Sequence, residues 1–408
     1  MREMKDSGVN WIGDIPIDWT CESSKFHVQI QNGSEPKSDG SVPVYGSGES
    51  SFRTCGEYKE GPTVLLGRKG SIGIPRWIEG KYWNVDTAFD VKPFKSIILR
   101  YYYYLSYCFD YKLYMTQTAL PSMRQSDYEG MKIPHPSLPE QTRIVSFLDN
   151  KCGKIDEAIA RQKAAIEKLD EYRKAVITKA VTRGVRGERE VKESGENWIP
   201  EIPVDWSIQP MKSVFRFGKG LSITKANLVD VGFPVISYGQ IHAKYCKGTT
   251  VTYDLLRYVT KDYIDDSSAV YKNDFIFADT SEDLDGCGNC IYIDTDCPIY
   301  GGYHTIIARS LRSCDNKYLA YLFKTDIWRM QIRERLTEVK LFSISQKVLR
   351  DTKILIPSES EQSEIVAFLD AKCASIESMK TRHEEIIKKL EEYKKSLIFN
   401  AVTGKIEC

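Results

Sequence analysis

Several things are missing from these 408 residues. No apolar run approaches the twenty or so residues of a membrane-crossing helix. Met1 to Lys5 lead into acidic, Gly-containing sequence rather than the apolar core of a secretion signal, so a cytoplasmic location is expected. Excess charge of either sign is absent too. There are 57 Lys and Arg against 56 Asp and Glu, a formal +1, which argues against an unspecific nucleic-acid coat while leaving local patches open. Histidine is scarce and scattered: His27, His135, His242, His304 and His383. No Gly-x-Ser-x-Gly, His-Glu-x-x-His or Walker loop appears. Gly67-Arg68-Lys69-Gly70 follows an apolar run, but Ile74-Pro75 cuts off the helix that a phosphate-binding loop requires.

Metal chemistry fares no better. The eleven Cys are odd in number and scattered, as in a reducing compartment. Cys287-Gly288-Asn289-Cys290 has the spacing of half a zinc site, and Cys297, Cys246 and His242 are candidate further ligands. A structural zinc shows a second paired spacing, which is lacking, so no metal is expected. Ser281 to Gly286 begins like a calcium loop, yet Tyr292 stands where a bidentate Glu is needed.

What is present is a duplication. Trp11-Ile12-Gly13-Asp14-Ile15-Pro16-Ile17-Asp18-Trp19 returns as Trp198-Ile199-Pro200-Glu201-Ile202-Pro203-Val204-Asp205-Trp206, at an offset of 206 − 19 = 187. Glu140-Gln141 and Phe147-Leu148-Asp149 return as Glu361-Gln362 and Phe368-Leu369-Asp370, at 361 − 140 = 221. The second copy therefore carries 221 − 187 = 34 extra residues. Aligning Asp86-Thr87-Ala88-Phe89 with His304-Thr305-Ile306-Ile307, at 218, places the insertions before Thr305.

Each copy ends in a heptad seam. The first runs Leu148, Cys152, Ile155, Ile159, Gln162, Ile166, Leu169, Arg173, Val176, Ala180; the second Leu369, Cys373, Ile376, Lys380, His383, Ile387, Leu390, Lys394, Leu397, Ala401. Polar interruptions match, Gln162 with His383 and Arg173 with Lys394. Amphipathic helices usually pack on separate cores, but equal length and matched interruptions predict that these two pair with each other, antiparallel. At about 1.5 Å per residue each seam spans roughly 50 Å, a spacer. The residues expected to pair are Leu148, Ile155, Ile159, Ile166, Leu169, Val176, Leu369, Ile376, Ile387, Leu390 and Leu397.

Ahead of each helix lies mixed strand and loop. Thr63-Val64-Leu65-Leu66 and Asp274-Phe275-Ile276-Phe277-Ala278 read as buried strands feeding polar loops. Helices are expected over Tyr101 to Leu105 and Tyr318 to Phe323, and strands at Lys132-Ile133-Pro134 and Lys353-Ile354-Leu355-Ile356, stopped by proline. The fold class is α+β: two mixed α/β globular domains related by duplication and joined by two long antiparallel helices in a coiled-coil spacer. The expected domains are 1–138, a first helix 139–184, a basic connector 185–191, 192–359, and a second helix 360–408.

Two related but unequal modules on a rigid spacer suit a target with two separated half-sites, as in DNA about one helical turn, roughly 34 Å, apart. Arg suits guanine, Gln and Asn suit adenine, and Lys, Ser and His suit base edges or phosphates. On that basis the candidate contacts are Lys37, in the loop from Asn32 to Asp39, with Arg68, Lys69, Ser122, Arg124 and Gln125 in the first module. In the second they are Lys219, Lys225, Gln240, His242, Ser345, Gln346 and Lys347. Any one of these alone reads first as a solvated surface side chain; their grouping in loops nominates them.

The doubled Ile-Pro-x-Asp-Trp leader carries a family resemblance. So do the helix starts Pro139-Glu140-Gln141-Thr142-Arg143-Ile144 and Ser360-Glu361-Gln362-Ser363-Glu364-Ile365, the phrase Gly301-Gly302-Tyr303-His304-Thr305, and the stretch from Gly218 to Lys225. With them the whole chain resembles the specificity subunit of type I restriction-modification enzymes. Ser360 in place of Pro139 is the one departure. The resemblance implies a DNA-specificity subunit without chemistry of its own, each module a target recognition domain for half of a split sequence. Its partners would be double-stranded DNA, two methylation subunits and restriction/translocase subunits. S-adenosylmethionine, ATP and Mg would sit on those partners, which flip the target adenine. No Asn-Pro-Pro-aromatic or Asp-Pro-Pro-aromatic methyltransferase motif occurs in this chain, in keeping with that division. Two other classes compete: a stand-alone methyltransferase or nuclease, and a coiled-coil adaptor that binds only proteins.

Overall fold

The computed structural model describes residues 2–116, 118–242, 248–312, 315–336 and 342–408. They form two compact units, 1–165 with 382–408, and 166–381. The two long helices run over Leu138–Arg183 and Glu359–Val402, and each contributes one half to each unit.

The first unit is built on two four-stranded sheets. One is antiparallel, in the order Val28–Asn32, Ala88–Pro93, Thr63–Gly67, Arg76–Ile78. Its strand Thr63–Gly67 is flanked on both sides and buried at all five residues, so it needs the continuous apolar run seen in its sequence. The other is ordered Arg53–Cys55, Val42–Tyr45, Lys81–Asn84, Lys59–Glu60, with its two middle strands parallel. The second unit repeats both sheets. Phe215–Lys219, Thr305–Ser310, Phe275–Ala278 and Cys290–Tyr292 form the antiparallel one. Arg257–Val259, Phe233–Ile236, Ile299–Gly301 and Ala269–Val270 form the other, again with a parallel middle pair. The expected short helices appear at Leu99–Ser106 and Lys317–Leu322, and the proline-stopped strands at Lys132–His135 and Lys353–Ile356.

The ladders correct the alignment of the two copies. Phe89 pairs with Asn32 and Leu66, while Ile306 pairs with Lys219 and Phe277. The offset there is 306 − 89 = 217, one less than aligning the turns by sequence gives. Thirty of the extra residues (217 − 187) precede Thr305, and the last four (221 − 217) fall between Tyr321 and Ser343. Loop insertions leave no periodic mark, so only hydrogen-bonded register locates them.

Each module grips the helices with the same residue types, a Trp, an Asp and a Glu from the repeated phrases joined by an Arg. In the second unit Trp206 is buried and its indole Nε1–H donates to Glu361 Oε2 at 3.0 Å. Glu361, itself fully buried, also takes Arg189, which binds Asp205 at 2.6 Å and lies over the Trp206 ring. In the first unit Arg2 joins Glu140 and Asp18 and lies over the buried Trp19. The neighbouring Gln141 is buried, accepts from Ile98 N–H (2.8 Å) and donates to the carbonyls of Pro136 (2.9 Å) and Ser96 (3.1 Å). Buried backbone at the module edge is thereby satisfied.

Tyrosines close the junctions from the module side. Tyr101 OH donates to the Val402 carbonyl at 3.1 Å, and Tyr318 OH to the Val181 carbonyl at 2.9 Å. Tyr104 and Arg100 meet Asp149; Tyr321 and Lys317 meet Asp370. Gly404 turns at φ +70°, where an added Cβ would strike Pro16, and Gly184 at +76° lies beside Trp206. Both helices thus end in the left-handed conformation that glycine adopts without strain.

Along the seam, Leu148, Cys152, Ile155, Leu369, Ile376 and Leu397 are buried. Ile159, Ile166, Leu169, Val176, Ile387 and Leu390 are half-covered, because a single partner helix shields only one stripe. Near the helix ends the modules widen the stripe, burying Ile177, Val181, Ile398 and Val402 as well. Within the first unit, His383 Nδ1 meets Gln162 Oε1 at 2.5 Å and Lys394 binds Asp156 at 2.7 Å. Within the second, Lys380 binds Asp170 at 2.7 Å. These pairs run in opposite sequence directions, so the helices are antiparallel. No helix among the described residues is long and apolar enough to cross a membrane.

Three outcomes follow from these contacts. Glu361→Ala leaves a buried Trp206 N–H and the Arg189 charge short of their partner, and should cost about 3–5 kcal/mol in urea unfolding. Arg2 holds the Glu140 carboxyl below its ordinary value. The stability this lends is complete above the ordinary carboxylate range and is lost as pH falls through it, from about pH 5 downward. Glu140→Gln should flatten that arm of a melting-temperature profile. Leu at both Gln162 and His383 should raise the melting temperature while admitting mixed oligomers by light scattering, since a polar seam pair sets register at a cost in stability.

Candidate nucleic-acid interface

Both antiparallel sheets present one end where three segments meet, and the frame there is the same in each unit. The buried strand Thr63–Gly67 runs into Arg68, whose N–H donates to the Thr87 carbonyl (2.8 Å) and whose carbonyl accepts from Met123 N–H (2.9 Å). Phe275–Ala278 runs into Asp279, whose N–H donates to the His304 carbonyl (3.1 Å) and whose carbonyl accepts from Ile344 N–H (2.7 Å). An isolated bridge joins Lys69 to Ser122, and a short ladder joins Thr280–Ser281 to Phe342–Ser343. The helices Gln125–Gly130 and Gln346–Asp351 begin directly after.

In the first unit this end collects Arg68, Lys69, Ser122, Arg124 and Gln125. Asn32, at the end of its strand, donates to Gln125 Oε1 at 3.4 Å. The Arg68 guanidinium donates to the Asp86 carbonyl at 3.1 Å and lies over the Phe89 ring. Lys69 approaches Asp86 at 3.7 Å. Arg124 caps its helix with Asp127 and leaves 84% of its side chain in solvent. Tyr128, buried and so held protonated, donates to the Gly67 carbonyl at 2.7 Å and pins the strand just before Arg68.

In the second unit a concavity of about 510 Å³ is lined by Lys219, Ser345, Gln346 and Lys347 together with Asp279 and His304. Ser345 caps its helix by accepting from Val348 N–H. His304 adopts φ +54°, unusual for a residue with a side chain, and its Nδ1 lies 3.3 Å from Asp279 Oδ1. Tyr238 packs edge-on against its ring. Asp279 and His304 are not among the DNA contacts expected from sequence: no acidic side chain is, and His304 enters there only within the phrase from Gly301 to Thr305. Their place one residue beyond a buried strand, and opposite it in the turn, is the signal that finds them.

Other expected contacts lie elsewhere. Lys37 is exposed, its backbone N–H held by Glu57 beside the second sheet. Lys225 begins a 3-10 turn after the Lys219 strand. Gln240 is engaged in its own turn, accepting from Ser237 N–H. His242 lines a separate concavity with Asp283 and Arg329. Of the candidate zinc ligands, Cys287 and Cys290 are buried in the hydrophobic core, Cys297 is exposed, and Cys246 lies outside the described residues. Among the described residues no three metal-binding side chains converge.

Comparison with known proteins matches this geometry to a class. The family described as type I restriction modification DNA specificity domain matches twice, over residues 21–168 and 203–388. The chain belongs to that family. It is 24% identical over 294 residues to the type I restriction enzyme MjaVIII specificity subunit of Methanocaldococcus jannaschii, covering 71% of this chain and 65% of that protein. With the EcoKI specificity subunit of Escherichia coli K12 it shares 23% over 210 residues, 50% of this chain and 44% of the relative. The matches thus span less than two thirds of these relatives' own length. A solved structure on complex assembly and conformational transition of the type I R-M system contains a chain of the same fold, with a TM-score of 0.68 at 14% identity over 96% of this chain and 99% of that one.

Proposed function

We propose that this chain is the DNA-specificity subunit of a type I restriction-modification complex. It reads a bipartite target, one half-site per recognition domain, and has no chemistry of its own. The domains are residues 1–138 and 192–359, the paired helices 139–184 and 360–408 form the spacer, and 185–191 connect the copies. DNA contacts come from the loops at the sheet ends. Two methylation subunits dock on the chain and carry S-adenosylmethionine, and restriction/translocase subunits carry ATP and Mg. A cytoplasmic location goes with this reading, since its DNA and partner subunits are there.

The single observation that carries this reading is the pair of identical frames bearing different side chains. Arg68 and Arg124 stand in one and Asp279 and Ser345 in the other, beside a glutamine that both keep, Gln125 and Gln346. A stand-alone enzyme has no use for a doubled frame, and a protein-only adaptor has no use for divergent polar loops at its sheet ends.

Replacing residues 20–137 by another module, with the methylation subunits present, should change one half of the methylated sequence and leave the other half intact. Sequencing that detects methylated adenine reads both halves at once. Altered bases in both halves, or in neither, would refute the assignment.

A further inference from the structure

One position in each unit has a backbone held on both sides by the frame and a half-exposed polar side chain at the sheet end. It is residue 68 in the first unit and residue 279 in the second, at an offset of 279 − 68 = 211. Three backbone equivalences establish the match. Each residue follows the last residue of a buried strand, each donates its N–H to the turn residue (Thr87 or His304), and each accepts from the residue before a helix cap (Met123 or Ile344). The frame is the same, yet the side chains are opposite in charge and in hydrogen-bonding sense.

Their surroundings fit that opposition. Arg68 has five N–H donors, of which one is engaged by the Asp86 carbonyl, while Phe89 beneath orients the guanidinium plane. With Nη1 held in this way, the Nε–H and Nη2–H edge is directed at two acceptors side by side. Asp279 has only acceptors. Its Oδ1 takes the Thr280 hydroxyl (2.7 Å) and faces His304 Nδ1 (3.3 Å). The His304 ring is brought there by a backbone at φ +54°, a strain that persists only where the surrounding structure imposes it. Tyr238 packed against the ring, and the Tyr238 N–H bonded to the Tyr303 carbonyl (3.3 Å), supply that imposition.

Resting on the DNA-reading function above, we propose that residues 68 and 279 are the principal base-discriminating side chains of the two half-sites. Arg68 donates to the O6 and N7 acceptors of a guanine. Asp279 accepts from the N4 amino group of a cytosine, with His304 as the positioning residue that holds the carboxylate toward the groove. Major-groove edges carry these groups, and each good pairing distinguishes its base from others by about tenfold to a hundredfold.

The test uses the full chain assembled with its methylation subunits, with rates measured on plasmids carrying the native sequence and every single-base change in each half-site. Arg68→Gln should lower methylation at one base pair of one half-site by about tenfold to a hundredfold and shift the preference there toward adenine. The other half-site and the gap should not change. Asp279→Asn should do the converse in the second half. Arg68→Lys keeps the charge and serves as the arm most tolerant for folding; it should retain DNA binding but relax discrimination at the same base pair. His304→Gly relieves the strained backbone, so it should leave melting unchanged or higher while relaxing discrimination at the base pair assigned to Asp279. Undiminished preference in Arg68→Lys and Asp279→Asn would make both residues phosphate or solvent contacts and overturn the proposal. Should that happen while the swap of residues 20–137 still changes one half-site, bipartite reading stands and only the assignment of these residues fails. If the swap itself changes neither half, the function proposed above fails first.

Discussion

The paired glutamate at the start of each long helix, buried at Glu361 and half-buried at Glu140, is the interaction on which the rest depends. Glu361 gathers an indole N–H and an arginine whose other face is held by Asp205. The leader, the helix start and the module edge are fixed together at one charge. Taking a carboxylate out of water is costly unless it is paired and hydrogen-bonded, and a partner removed leaves an uncompensated charge behind. The arrangement therefore tolerates little variation in its parts. Loops at the opposite sheet end carry no comparable constraint beyond their backbone hydrogen bonds, and there the two copies diverge.

That division explains why a fold can change what it recognises while keeping its mounting. Side chains at the helix junctions are the same or closely related in both copies: Trp19 and Trp206, Tyr101 and Tyr318, Asp149 and Asp370. At the sheet ends the frame survives and the chemistry inverts, with Arg68 against Asp279 and Arg124 against Ser345. Stability resides in the first set; the proposed selectivity rests on the second.

Much of this was legible before any coordinates. The helices declare themselves because a heptad seam is a local, periodic signal, and its matched interruptions Gln162 and His383 indeed touch. The buried strands show as short apolar runs, and the doubled Glu-Gln phrase marks the helix starts. Three things were not legible. The one-residue shift at Ala88 and Thr305 is settled by ladder register, which sequence does not express. The distance of Lys37, Lys225, Gln240 and His242 from the sheet ends is another, since loops near in sequence reach different edges. Asp279 was not singled out because an acid carries no motif there, and His304 was read only as part of the phrase from Gly301 to Thr305; their equivalence to Arg68 and Thr87 in three dimensions is what marks them.

The first unit draws its residues from both ends of the sequence, whereas the second is one continuous stretch from 166 to 381. Tyr101 finds its carbonyl partner 301 positions away, at Val402. On a ribosome the second unit therefore has all its residues in hand while the first still lacks the strip from Leu397 to Val402 that covers Ile144, Leu148 and Cys152. Until translation reaches that strip an apolar face stays open, and contacts closed over so long a loop form late. The half synthesised first is the half that matures last, and newborn chains must be guarded there from clumping.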